Sequence, residues 1–280
     1  MLSPIYLCGP TASGKTALAL ELAEKHDGEI VNADAFQLYR GMEILTAAPG
    51  EDERGNVPHH LFSVLDPSIA NDAMAYTRLA EPVIADILSR GRTPIVTGGS
   101  GLYLKFLTHG ASPLPTGDAA LREEMDALSL DELFQQLQEL DPVEASRIEK
   151  QNRRFVGRAL EICKLTGQKA SELRDSWEQA TAERVASLRG YVIHRTRPDL
   201  HARIERRTRR MLKEGAVEEV AALGPLSITA EKAIGLPQIQ SLLRGEIDRA
   251  TCEEQIVIAT RQYAKRQETW FRRETWLTPV

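Results

Sequence analysis

The chain has 280 residues, room for one large domain or for a core domain carrying a smaller insert. Its 42% hydrophobic and 27% charged residues exclude a disordered chain, a collagen and a disulfide-stapled miniprotein, and no apolar run approaches the roughly 20 residues of a membrane-spanning helix. A net charge of -5, taken whole, argues against a nucleic-acid partner.

The opening MLSPIYLCGP has no basic segment and predicts no secretory signal. Cys8, Cys163 and Cys252 lie far apart with no CxxC, so neither a disulfide framework nor a zinc site is expected, and a reducing cytoplasm is the expected location. Ile5–Cys8 reads as a buried strand, Gly9–Gly14 as a loop, and Thr16–Lys25, with Leu18 and Leu22 on one face, as a helix. Glu29–Ala33 predicts a second strand ending at Asp34, and Leu61–Val64 a third. Ala73–Arg90 has helical spacing with Pro82 as a possible kink and Gly91 as the stop. Pro94–Thr97 is a further strand entering the turn Gly98-Gly99-Ser100-Gly101. At Ser112–Gly117 the composition changes to a Pro/Gly hinge, and the stretch to about residue 189 is polar and helical throughout. Strand character returns at Tyr191–His194, followed by helices over about 201–223, 230–243 and 249–273. Strands alternating with helices predict an α/β fold with a parallel sheet flanked by helices. The core is expected over 1–117 and 190–280, with an inserted helical subdomain over 118–189. No repeat or low-complexity tract is visible.

Gly9-Pro10-Thr11-Ala12-Ser13-Gly14-Lys15-Thr16 matches the GxxxxGK[ST] template between a strand and a helix, which makes the fold P-loop NTPase-like. Glycines let backbone N–H groups converge on phosphate oxygens, and the helix N-terminus adds a favourable dipole. Lys15 offers a point charge to a terminal phosphate and Thr16 a hydroxyl to Mg²⁺. The loop specifies a phosphorylated or diphosphorylated ligand without choosing ATP. Asp34 ends a strand beside that loop, where sheets of this kind bind ligands. It could hold Mg²⁺ through water, accept a proton from a nucleophile, or merely cap a turn. The residues that follow, Ala35–Met42, mix aromatic, amide and cationic side chains of a kind that suits a base, although packing explains Phe36 and Leu38 equally well.

The charge is segregated. Asp118–Glu149 carries ten acids and two arginines, whereas Arg147–Arg158 is +4, Arg195–Lys213 is +6 and Arg261–Arg273 is +4. A single run of this kind is usually a solvated helix face; three of them in an acidic chain point to a polyanion. The adjacent His59 and His60 do not share a face and predict a loop or structural role. Trp270, Phe271 and Trp276 predict packing by the C-terminal helix, and Cys8, inside a strand, an inert thiol.

Together these residues resemble the tRNA dimethylallyltransferase (tRNA isopentenyltransferase) family. The likeness runs from the phosphate loop through Asp34, Gln37, Tyr39, Arg40, Gly41 and Met42, then Val57–Leu61, Gly98–Tyr103 and Arg158–Glu161. It ends at Arg261–Gln267 and Trp270–Arg273, so it covers nearly the whole chain. The resemblance implies transfer of a dimethylallyl group from dimethylallyl diphosphate to N6 of adenine-37 beside the anticodon, releasing diphosphate. Asp34 is then the general base, and Gly9, Pro10, Thr11, Ala12, Ser13, Gly14, Lys15 and Thr16 bind the diphosphate, with Mg²⁺ on Thr16. Thr11 and Lys15 act in catalysis with Arg203 as an added cation. Asp34, Ala35, Phe36, Gln37, Ser100, Arg122, Arg154 and Arg158 touch an extruded base and the tRNA anticodon stem-loop, the last three from the insert. A monomer without membrane association is expected. The chain departs from the family pattern at Leu45 and Ala48, where glycine and lysine are usual, at Phe155, in a stretch lacking one usual cation, and at Leu236, where tyrosine is usual.

Overall fold

A computed structural model describes residues 2–110 and 114–280. The chain forms two compact units, Met1–Thr108 with Ala186–Val280, and His109–Val185. These borders differ from the predicted 117/118 and 189/190. Leu114 packs on the helical unit's core, the Pro115 carbonyl accepts from Arg158, and the Asp118 amide donates to Glu161 at 2.9 Å, so residues 114–118 belong with the helices. At the other border Leu188 already packs against the sheet. Ser112 and Pro113 of the predicted hinge lie outside the described residues.

The first unit is built on β1 (Ile5–Cys8), α1 (Lys15–Lys25), β2 (Gly28–Asn32), the short helices α2 (Glu43–Thr46) and α3 (Glu51–Arg54), β3 (His59–His60), α4 (Ala73–Ser89), β4 (Thr93–Gly98) and α5 (Gly101–His109). The strands pair in the order β3-β2-β4-β1, continued on the far side by β5 (Arg189–Val192) and β6 (Leu277–Pro279), and every pair is parallel. Ile5, Leu7, Ile30, Val31, Ile95 and Val96 are at most 1% exposed, because a parallel sheet covered on both faces buries successive residues rather than alternate ones. The phosphate loop leaves β1, and the Gly98–Gly101 turn leaves its neighbour β4. From β1 the chain crosses to one side of the sheet and from β4 to the other, so these carboxyl ends flank the crevice where such sheets take ligands.

The third predicted strand is displaced. Leu61 and Ser63 have φ +63° and +54°, left-handed values incompatible with extended backbone, and the strand forms one step earlier at His59–His60 against Ile30 and Val31. Leu61 and Phe62 are buried all the same, Phe62 at 9% exposure, within a loop, whereas Val64 is exposed. The predicted helix over 201–223 is two, α11 (Arg197–Lys213) and α12 (Ala216–Ala221), separated by Gly215 at φ +109°. Likewise 230–243 divides into a 3₁₀ turn, Ala230–Lys232, and α13 (Leu236–Leu243), with Gly235 at φ +98° between them. The long α14 (Arg249–Phe271) follows. Phe271 joins the core, whereas Trp276, predicted to pack on the helix, lies beyond it. Trp276 stands edge-on to Tyr6 at 5.6 Å and over Gly190, where a Cβ would meet the indole at 2.2 Å. His60 is structural: Nε2 meets Glu29 at 2.7 Å. Hydrogen bonds from Arg90, with that contact, outweigh burial and hold the Glu29 carboxyl down to about 2.

The second unit holds α6 (Ala119–Asp126), α7 (Leu130–Leu140), α8 (Pro142–Arg147), α9 (Arg153–Thr166) and most of α10 (Ala170–Ala186). Asp118, Ser129, Asp141 and Asn152 cap the first four through their side chains, which explains the clean starts. Met125, Leu133, Leu137, Val156, Leu160 and Ile162 form its apolar core.

Candidate active site

The phosphate loop turns on Ala12 (φ +64°) and on Gly14 (φ +95°), which caps α1. Lys15 Nζ donates to the carbonyls of Gly9 (3.0 Å) and Pro10 (2.8 Å), curling the side chain around the loop. Burial pushes its ammonium down to about 8, against the attraction of Asp34. The Ser13 hydroxyl, fully buried, has no partner among the described residues, and nor does the Thr97 hydroxyl at the end of β4; both residues line the same cleft. Cys8 is buried beneath the loop, and burial pushes its thiol upward, so it is inert.

Asp34 is held by the buried Asn32. Asn32 Oδ1 accepts the Asp34 amide at 2.8 Å, and Nδ2 donates to the carbonyls of Asp34 (3.1 Å) and Leu61 (2.9 Å). Tyr76 in turn donates to the Asn32 carbonyl at 2.9 Å. One carboxylate oxygen accepts the Phe36 amide at 3.1 Å, and the carboxylate shares the cleft with Thr11, Lys15 and Thr16. Ser100 Oγ accepts the Ala35 amide at 2.8 Å. Gln37 Nε2 donates to the carbonyls of Thr46 (3.2 Å) and Ala47 (2.9 Å), so its amide hydrogens are committed to α2. Phe36 faces Tyr263 of α14 at 6.4 Å.

The cleft, of about 620 Å³, is closed along one side by α11. Arg203, Arg206, Arg207 and Arg210 recur at the i, i+3, i+4, i+7 spacing of one helical face and all four line it. Arg203 Nε is tied to Asp199 at 3.0 Å, with Nη1 near Gly14. Arg207 reaches furthest in: Nη1 donates to Thr11 Oγ1 at 2.6 Å and Nη2 to the Thr46 carbonyl at 3.1 Å. Burial lowers its affinity for the proton while Asp34 restores part of it. Sequence reasoning chose Arg203 and missed Arg207, although their four-residue separation was a usable signal. Beside Asp34 and Arg207 a small chamber of about 40 Å³ is lined by Phe36, Leu45, Met211, Ile234, Ile256 and Tyr263 together with Thr11, Thr46, Thr208 and Thr260. Leu45 and Leu236, two of the departures from the family pattern, are buried in one apolar cluster with Met42, Met211 and Ile256, so packing accounts for them.

Gln267 was also missed. Nearly fully buried on α14, it accepts the Thr11 amide at 2.8 Å and donates to the Gly99 carbonyl at 2.9 Å.

Arg122, Arg154 and Arg158 belong to the helical unit. Arg122 Nε donates to Glu161 at 2.8 Å, and Arg158 donates to Glu161 and to the Pro115 carbonyl. Arg154, with Phe155 beside it at 59% exposure, is solvent-exposed and has no acceptor among the described residues.

Thr16 and Asp34 present hard oxygen donors to one cleft that also holds the diphosphate-type loop. That donor set fits Mg²⁺, which is commonly held by one or two protein oxygens with substrate phosphates and water. No group of three or more His, Cys, Asp or Glu side chains that could hold a metal occurs among the described residues.

The IPP transferase family profile matches residues 37–274. A tRNA dimethylallyltransferase of Akkermansia muciniphila is 49% identical over 98% of this chain and 91% of its own length. One from Geobacter metallireducens is 42% identical over 97% and 90%. Among solved structures, the tRNA isopentenylpyrophosphate transferase of Bacillus halodurans superposes with TM-score 0.72 at 32% identity, covering 100% of this chain and 90% of that one. A eukaryotic dimethylallyltransferase acting on tRNA gives TM-score 0.75 at 25% identity over 100% and 74%. With 238 of 280 residues inside the family profile and nearly full-length relatives at this identity, the chain belongs to the tRNA dimethylallyltransferase (IPP transferase) family.

Proposed function

We propose that this chain transfers the dimethylallyl group of dimethylallyl diphosphate to N6 of adenine-37 beside the anticodon of tRNA, releasing diphosphate. One observation carries the reading: a diphosphate-type loop and the Asp34 carboxylate share a single cleft that is walled by arginines. A leaving group and a proton acceptor are thereby supplied together. The adenine amine is a poor nucleophile because its lone pair is delocalised into the ring. Asp34 takes a proton from N6 as the N6–C1 bond forms, and the breaking C1–O bond returns its electron pair to the diphosphate. Loop amides, Lys15, Thr11 and Thr16 with Arg203 and Arg207 stabilise the charge that develops there. Thr16, with Asp34 lining the same cleft, would hold Mg²⁺, which would supply charge neutralisation on the diphosphate. Phe36, Leu45, Met211 and Ile256 in the chamber beside Asp34 offer the prenyl group apolar contacts.

The target base leaves its stack to reach this cleft. Asp34, Ala35, Phe36 and Gln37 line its edge, with Ser100 supporting Ala35, and Arg122, Arg154 and Arg158 of the helical subdomain meet the anticodon stem-loop. The protein acts as a cytoplasmic monomer; no helix among the described residues is long and apolar enough to cross a membrane.

The direct test incubates the protein with dimethylallyl diphosphate, Mg²⁺ and an anticodon stem-loop carrying A36-A37. The expected result is one prenyl mass increment on the RNA. Phosphoryl transfer or ATP hydrolysis without prenylation would replace this reading by that of a P-loop kinase or NTPase.

A further inference from the structure

We propose that Gln267 is a positioning residue that sets the spacing between the diphosphate loop and the segment bearing Asp34. The inference rests on the prenyl-transfer reading above. Gln267 is 5% exposed, and both ends of its side chain are committed. Oε1 accepts the Thr11 N–H at 2.8 Å, and Nε2 donates to the Gly99 carbonyl at 2.9 Å. Thr11 belongs to the loop that follows β1 and Gly99 to the turn that follows β4, so one amide spans the carboxyl ends of two adjacent strands.

What lies beyond Gly99 makes the span consequential. Ser100, its covalent neighbour, accepts the Ala35 amide through Oγ at 2.8 Å and donates its own amide to the Ala33 carbonyl at 3.2 Å. Ala33 and Ala35 bracket Asp34. A continuous path of covalent and hydrogen bonds therefore runs Thr11–Gln267–Gly99–Ser100–Ala35–Asp34, from the group that holds the leaving diphosphate to the group that takes the proton. On the loop side Arg207 holds Thr11 from the opposite direction through its hydroxyl. The backbone is shaped around the strut as well. A Cβ on Gly99 would lie 2.1 Å from Gln267 Nε2, so any side chain there would expel the amide.

Packing gives no alternative reason for the residue. On the same helix Ile256, Ala264 and Phe271 supply apolar burial, and an amide is needed only because one end must accept and the other donate. Transfer depends on a reacting geometry in which a displacement of about 1 Å costs on the order of 10²-fold in rate. A strut that fixes the distance between the two halves of the site therefore acts on the chemical step more than on either substrate's affinity.

Two variants test this in the intact protein. Gln267→Met keeps the length and removes both polar ends. With both substrates saturating, its single-turnover prenyl-transfer rate is expected to fall about 10- to 100-fold, while stem-loop affinity by filter binding stays within twofold. Gln267→Glu retains the acceptor but can donate to Gly99 only while its carboxyl is protonated, and burial raises that pKa. The ratio of its rate to wild type is therefore expected to fall steadily from pH 5.5 to 8.5. A folded Gln267→Met variant with wild-type single-turnover rate overturns the proposal, as does a Gln267→Glu ratio that is flat across this range. Should Gln267→Met fail to fold, the pH ratio decides alone. Absence of prenyl transfer by the wild-type protein is a different failure, that of the functional reading. The strut is then judged by amide hydrogen exchange: faster exchange of the Thr11 and Ala35 amides in Gln267→Met than in the wild type supports its hold on the two segments, and unchanged exchange overturns it.

Discussion

Arg207 Nη1 donates to Thr11 Oγ1 at 2.6 Å, joining α11 to the phosphate loop across 196 residues of sequence. Its other terminal nitrogen holds the Thr46 carbonyl, so one guanidinium braces two walls of the cleft. The planar fork makes this possible, and a lysine ammonium at the same place would be a single point charge with different reach. Arg207→Lys and Arg207→Ala are accordingly expected to lower kcat/KM for dimethylallyl diphosphate by on the order of 10²-fold each, with little rescue by lysine. Steady-state kinetics with the prenyl donor varied reads the effect; lysine restoring most of the activity would mean that charge alone matters.

Lys15 predicts a pH dependence. Burial holds its ammonium at about 8, so the protein without ligand loses this positive charge as pH rises through 8. A polyanion needs the charged form, and affinity for dimethylallyl diphosphate in the absence of RNA is expected to be full below pH 8 and to decline above it. Stability runs the other way. The folded pKa lies below the ordinary 10.5, so the unfolded chain binds more protons between pH 8 and 10.5, and this group makes the unliganded fold more stable as pH rises through that window. Calorimetric titration between pH 7 and 9.5 checks the first statement: an affinity that is flat, or that rises with pH, contradicts it. Lys15→Met should lower the affinity and remove the inflection.

The parts of this site legible in the sequence are those whose geometry is local. The phosphate loop is a spacing template because its amides converge only when the glycines fall at fixed intervals, and Asp34 is found because strand ends in such sheets face the ligand. Arg207 lies in the same basic run as Arg203 and on the same face of α11, but which of the two reaches Thr11 depends on where the helix passes the phosphate loop. Gln267 closes the stretch Arg261–Gln267, whose residues carry no local sign of what an amide there touches. Its partners Thr11 and Gly99 lie 256 and 168 residues away in the chain, and no periodicity records such a distance. In the fold, continuous apolar runs located four of the six strands, whereas Leu61–Val64 imitated a strand because buried loops are apolar too. The three-residue β6, containing Pro279, has too few residues to show a pattern. Gly215 and Gly235 are visible as residues, yet only their positive φ shows that they interrupt the helical runs, each standing at the N-cap of the helix that follows.

Asp34 is expected to act on the chemical step. Its backbone is held by Asn32 and its carboxylate by the Phe36 amide, and it lines the cleft together with Lys15. Asp34→Asn preserves the size and the hydrogen bond to Phe36 while removing the base. The single-turnover rate should fall by about 10² or more, with stem-loop affinity nearly unchanged. A wild-type rate would transfer the role of base to another group; a matching loss of RNA affinity would recast Asp34 as a binding residue.

The helical subdomain offers a contrast between two arginines one helical turn apart. Arg158, besides its proposed RNA contact, serves the subdomain's interior. With Arg122 it pairs Glu161, which is 1% exposed, and it also holds the Pro115 carbonyl. Burial pushes Glu161 upward, but hydrogen bonds from Arg158, Arg122 and the Asp118 amide outweigh it and keep the carboxyl below its ordinary range. Removing Arg158 therefore leaves a buried carboxylate short of a partner, and Arg158→Ala is expected to destabilise the subdomain by about 1–3 kcal/mol. Arg154 has no such duty. It stands on the exposed start of α9, where a guanidinium can neutralise one RNA phosphate, so Arg154→Ala should leave the melting temperature unchanged. Its log–log salt dependence of stem-loop binding should be shallower by about 0.7–0.9, the contribution of one phosphate contact. Thermal melts with binding isotherms from 50 to 200 mM salt separate the two residues. An Arg154→Ala variant that binds RNA with the wild-type salt slope would remove this face of α9 from the RNA interface, whatever Arg158 does.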